Sequence, residues 1–114
     1  MEITGRAKLI KLQRKNRGNI NLCKAIDELL VELENKNWKT PLELKADRPD
    51  ADIVHSDGFY IFNINIHRTM ILIEFEEDGE ATIVWCGTHD EYEGTFKNNK
   101  DTIETWLRNR GFIK

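Results

Sequence analysis

Gly87-Thr88-His89-Asp90-Glu91-Tyr92 gathers an imidazole, two carboxylates and a phenol at four consecutive positions, and a guanidinium, Arg68, lies upstream of it. Together these groups suit the cleavage of an RNA phosphodiester without a metal. That reaction needs a base to take the proton from the ribose 2′-OH, an acid for the departing 5′-oxygen and a fixed cation for the charge building on phosphorus. His89 could serve as acid or base, because a free imidazole titrates near neutrality. Arg68 could hold a phosphate bidentately, Glu91 is a proton acceptor, and Tyr92 offers a phenol or a ring face on which a splayed base could stack. Taken alone, a single histidine is more often an ordinary strand-end residue than a catalyst. Three histidines, two cysteines and many carboxylates do not fall into HxxxH or CxxC spacing, so neither a metal nor any other cofactor is expected.

Helices come first among the elements that must position these residues. Ile3 begins a short apolar stretch, and Ala7, Leu9, Ile10 and Leu12 follow at helix-compatible spacing. The polar side of this helix is almost wholly basic, with Lys8, Lys11, Arg14 and Lys15 available to attract a phosphate backbone. It could equally be an ordinary solvated face. Leu22, Ile26, Leu29, Leu30 and Leu33 then form one stripe of a second helix, with Asn19 or Asn21 as N-cap. Pro41 redirects the chain after Trp38, leaving Leu42 to Ala46 for one further helical turn.

From about residue 52 the period changes. Phe59 to Ile66, Met70 to Phe75 and Thr82 to Cys86 are β-branched and aromatic runs bounded by turn formers, which predicts three antiparallel strands. Asp78-Gly79 predicts a two-residue hairpin loop, with Glu77 facing Glu80. Counting back from that turn places Ile73 opposite Val84, Ile71 opposite Cys86 and Arg68 opposite His89. Near the C-terminus, Asp101 and Glu104 have capping-box spacing ahead of Ile103, Trp106 and Leu107, so a short helix is expected there.

Three blocks resemble HigB-type toxins of the RelE/ParE superfamily. Gly87 to Tyr92 is similar to the GTHxEY segment that ends the last core strand of those toxins. Asn37-Trp38-Lys39-Thr40-Pro41, followed by Leu44-Lys45, resembles their W-K-T-P junction, and Phe62-Asn63-Ile64 resembles their F-N-I strand. The resemblance implies an α+β, RelE-like fold with two N-terminal helices on one face of an antiparallel sheet, and RNA bound across the other face and the strand ends. It implies an endoribonuclease that cuts mRNA, commonly on the ribosome. It also implies a HigA-like helix-turn-helix antitoxin as partner, with operator DNA contacted only through that antitoxin. Carried over by position, His89 is the catalytic histidine and Glu91 and Tyr92 are the acidic and aromatic positions beside it. Lys39, Lys45 and His67 join the candidate RNA-binding residues. The chain departs from the family pattern after Phe62-Asn63-Ile64, with His67 where an asparagine is expected and Met70 where an arginine is expected. Arg68 would then stand in for the missing guanidinium. If it does not, a catalytically impaired module that binds a protein or the ribosome is the alternative.

Composition narrows the class without choosing the chemistry. At 114 residues, 39% hydrophobic and 32% charged, the chain suits one domain over residues 1–114 and is too apolar for disorder. No apolar stretch approaches the roughly 20 residues of a membrane span, and no signal-peptide block opens the chain, so a soluble cytoplasmic protein is expected. Cys23 and Cys86 read as two reduced thiols. The net charge of −3 conceals a basic residue 1–17 segment, at +5, and an acidic remainder from residue 49 onward, at −7.

Overall fold

The computed structural model describes all 114 residues and has the element order β1 (Glu2–Thr4), α1 (Arg6–Lys15), α2 (Ile20–Asn35), α3 (Pro41–Asp47), β2 (Asp52–His55), β3 (Phe59–Ile64), β4 (His67–Glu74), β5 (Glu80–Thr88), α4 (His89–Phe96) and α5 (Lys100–Asn109). The α+β class is as expected. The sheet is larger and mixed, with order β1-β5-β4-β3-β2. β1 runs parallel to β5, pairing Glu2 with Glu80 and Thr4 with Thr82, and the remaining neighbours are antiparallel. Gly5 ends β1 at φ 82°, and a Cβ there would sit 2.7 Å from the Ile83 carbonyl oxygen, so glycine lets the chain turn into α1 against β5.

The second helix follows its sequence closely. Asn19 Oδ1 accepts from the Leu22 amide at 3.1 Å, and all five residues of the leucine-isoleucine stripe are buried. Thr40 caps α3 by accepting from the Glu43 amide, and Pro41 occupies its first turn, where a missing N–H costs nothing. Trp38 is buried at this junction and its indole donates to Asp47 Oδ2 at 2.8 Å. Arg48, which the sequence did not single out, ties the same junction to the sheet. Its guanidinium bonds both oxygens of Asp50, the Glu32 carboxylate and the Asn63 carbonyl.

The predicted hairpin is wrong in both loop and register. Five residues, 75–79, connect β4 to β5, with Glu77 and Gly79 at positive φ. Glu74 therefore pairs with Glu80, Ile73 with Ala81 and Ile71 with Ile83. A bulge at Met70/Ile71 shifts the ladder by one residue, after which Thr69 pairs with Cys86, Arg68 with Gly87 and His67 with Thr88. The extra residue leaves consecutive Val84 and Trp85 both packed toward the same side of the sheet, where regular alternation would separate them. The Thr69 hydroxyl donates to the Trp85 carbonyl at 2.8 Å, satisfying an acceptor beside the disrupted ladder.

Apolar side chains emerge from both faces. Tyr60, Phe62, Ile64, Ile71, Ile73 and Ile83 pack under α1, α2 and α3. Phe59, Ile61, Met70 and Val84 pack on the other face, against Tyr92 and Phe96 of α4 and Ile103 and Leu107 of α5. The expected short C-terminal helix is thus two helices forming a second layer, and the face expected to carry RNA is covered. Asn99 caps α5, accepting from the Asp101 and Thr102 amides, in place of the predicted Asp101–Glu104 box. No helix is long and apolar enough to cross a membrane.

Met70, standing where the family pattern has arginine, is fully buried in this second core. Met70→Arg should therefore destabilise the protein by about 3 kcal/mol or more, by burying an unpaired charge. Urea unfolding of the two proteins measures this, and an unchanged midpoint would mean that α4 and α5 do not close over the sheet.

Candidate functional site

β5 ends at Thr88, whose extended backbone turns directly into α4. The Thr88 hydroxyl accepts from the Glu91 amide at 3.0 Å, and the Glu91 carboxylate accepts from the Thr88 amide at 2.8 Å. This reciprocal pair is a capping box, and the spelling Thr-x-x-Glu was available in the sequence. The Thr88 amide and hydroxyl hold the Glu91 carboxyl below the usual carboxylate range, with lesser help from the charges of His67 and Lys15. Glu91 is therefore a carboxylate at neutral pH that also fixes the helix start.

Gly87 precedes the cap where a side chain would crowd its neighbours. A Cβ there would lie 2.9 Å from the Trp85 ring and 3.0 Å from Glu91 Oε1. Tyr92, one turn into α4, is only 3% exposed and touches the rings of Trp85 and Phe96. Burial raises the Tyr92 phenol above its ordinary pKa, so it stays neutral at physiological pH. The Arg68 guanidinium lies over the Tyr92 ring, 5.3 Å from its centroid. The tyrosine face is thus occupied by this chain's own arginine, leaving Tyr92 as a support for Arg68 rather than a surface on which a base stacks.

His89 is the first residue of α4, outside the strand in which sequence counting placed it. Its ring is half exposed, with Nδ1 3.9 Å from Asp90 and Nε2 3.7 Å from Glu93. It does not face Arg68 across the ladder as predicted. The two are related through Tyr92 instead, since residues i and i+3 share a helix face and lie roughly 4.5 Å apart along the axis. Of the GTHDEY segment, Gly87 gives clearance, Thr88 and Glu91 form the cap and Tyr92 carries Arg68, which leaves His89 and Asp90 exposed to solvent.

The remaining candidates are scattered. His67 points to the α1 side of the sheet with Thr69 and Ile71, is 5% exposed, and its Nδ1 has no hydrogen-bond partner. Lys39 donates to the Glu77 carbonyl at 2.9 Å, bracing the β4–β5 turn at the far end of β5 from His89. Nine residues of strand put those ends roughly 27 Å apart. Lys45 is engaged by the Pro49 and Ala51 carbonyls and by Asp52. Lys8, Lys11 and Lys15 line one wall of a groove of about 510 Å³, and Arg14 is exposed outside it. The other wall includes Trp106, which the sequence places in the apolar stripe of the C-terminal helix, and Arg110 one helical turn further on, which the sequence reading passed over. Cys23 and Cys86 are unpaired.

The last strand thus delivers His89 and the capping Glu91 into the helix that follows it, beside an arginine placed over Tyr92. Residues 23–95 match the model of the HigB toxin family, described as the RelE-like toxic component of a toxin–antitoxin system. The chain belongs to that family, and so has an antitoxin as its counterpart. No curated protein matches it.

Removing the capping hydroxyl by Thr88→Ala should cost about 1 kcal/mol of stability at neutral pH. Because folding lowers the Glu91 pKa, its stabilisation is present above the unfolded value of roughly 4.3 and is lost as pH falls through the folded value. The stability gap between wild type and Glu91→Ala should therefore be widest near pH 7 and narrow in acid. Urea midpoints across that range test it, and a pH-independent gap would refute the carboxylate's role in the cap.

Proposed function

We propose that the whole chain, residues 1–114, acts as one cytoplasmic domain that cleaves mRNA without a metal, on the ribosome, as the toxin partner of a HigA-like helix-turn-helix antitoxin. The observation that carries this reading is the half-exposed His89 imidazole one helical turn from the tyrosine that supports Arg68. His89 is the proton-transfer residue, taking the 2′-OH proton or delivering one to the departing 5′-oxygen. Arg68 holds the phosphate and offsets the charge that grows on it. O2′ bonds to phosphorus as the bond to the 5′-oxygen breaks, leaving a 2′,3′-cyclic phosphate and a 5′-hydroxyl. Glu91 and Tyr92 act mainly by position, one fixing the helix that presents His89 and the other supporting the guanidinium. Operator DNA is met only through the antitoxin.

A second reading rests on Met70. With the family's arginine position sealed in the core, the chain could bind the ribosome or a protein partner without cutting. Translating ribosomes with a defined message, incubated in EDTA, separate the two readings, because cleavage appears under the first and intact message at every codon under the second. Under the nuclease reading, expression arrests growth. His89→Ala then lowers cleavage by roughly 10²–10⁴-fold and relieves the arrest, and equal toxicity of both proteins would reject the assignment.

A further inference from the structure

β1 covers only Glu80–Thr82 of its neighbour, so Val84–Cys86 of β5 has no strand beyond it. α1 comes from one helical layer and α5 from the other, and between them they wall a groove along this uncovered stretch. Its volume, about 510 Å³, falls within the range of small-ligand sites. Lys8, Lys11 and Lys15 stand on one face of α1, spaced by three and four residues, and Arg110 rises from the opposite wall. No carboxylate lines it. The Arg110 guanidinium lies 4.8 Å over the Trp106 ring, and Phe112 is stacked parallel to the same indole. Trp85 forms part of the floor.

We propose that this groove is a subsite for single-stranded RNA, seating a base against Trp85 and its flanking phosphates on Lys8, Lys11, Lys15 and Arg110. The subsite rests on the nuclease reading above and deepens it. Cations on both walls around the half-buried Trp85 indole match a base and its backbone, since every base has a π-face and every linkage a charge. An acidic polypeptide would use the lysines but leave the Trp85 indole without a role. The groove also leads toward the chemistry, because Cys86 lines it and Thr88, the cap of the helix that bears His89, lies two residues further along β5. Apart from Val84, Trp85 and Cys86, its lining lies outside the residues matched to the toxin family, so it is a feature of this chain's own ends.

A fluorescein-labelled 2′-O-methyl uridine dodecamer, which cannot be cleaved because its nucleophile is blocked, is the probe. Fluorescence anisotropy should show at least about tenfold weaker binding for Lys11→Gln/Lys15→Gln, with the slope of log K against log salt reduced by roughly 1.4 for two lost phosphate contacts. Arg110→Gln should weaken binding independently. The dodecamer should quench tryptophan emission, whereas poly-glutamate of equal charge should not. Unchanged affinity in both variants, or poly-glutamate binding more tightly than the dodecamer, overturns the subsite; the latter would assign the groove to an acidic polypeptide. Groove-dependent binding by a protein that leaves message intact would keep the subsite and remove the nuclease. Message cleavage unaffected by the groove variants would do the reverse.

Discussion

A β-sheet with apolar side chains on both faces must be covered twice, and most of this architecture answers that demand. β3 reads Phe59-Tyr60-Ile61-Phe62-Asn63-Ile64, and because successive side chains point to opposite faces, burying all but Asn63 needs a layer on each side. α1 and α2 supply one layer and α4 with α5 the other. Neither broad face is then left for a ligand. What remains open is the rim where β5 ends and the edge that β1 leaves uncovered. His89 and Arg68 lie at the first, and the basic, aromatic groove lies at the second.

The second layer also accounts for the departure from the family pattern at Met70. A strand position beneath a helical hairpin accepts methionine, which is flexible and apolar, far more readily than a guanidinium. Arg68, two residues earlier on the same face of β4, lies beyond the dense part of that core and reaches the Tyr92 ring. The bulge beside Met70 turns both Val84 and Trp85 toward α4 and α5, so the irregularity in the ladder helps to fill the layer that buried the methionine.

Helix α2, the Pro41 turn and the α+β class were legible because each has a local signature: a 3.6-residue stripe, a proline at a helix start, a change of period near residue 52. The β4–β5 register was not, since it depends on a five-residue turn and a bulge that leave no local trace, and an Asp-Gly pair pointed to a tighter loop than the chain uses. The residues of GTHDEY were visible but their division of labour was not. The capping spelling Thr88-x-x-Glu91 lay within the motif, yet the same pattern was sought at Asp101 and Glu104, where Asn99 does the work. Burial of Tyr92 and the partnership of α1 with α5 are tertiary facts, set by residues 96–114, whose sequence signals only a helix.

The placement of Arg68 over Tyr92 has a thermodynamic corollary. A free arginine side chain samples many rotamers, and immobilising such a chain on association costs about 0.5–1.5 kcal/mol. Here the guanidinium already lies over an aromatic ring that Trp85 and Phe96 hold in place, so much of that freedom disappears when the polypeptide folds. Any anion reaching this rim meets a charge whose position is already set, and the entropy of placing it is charged to folding, not to the encounter.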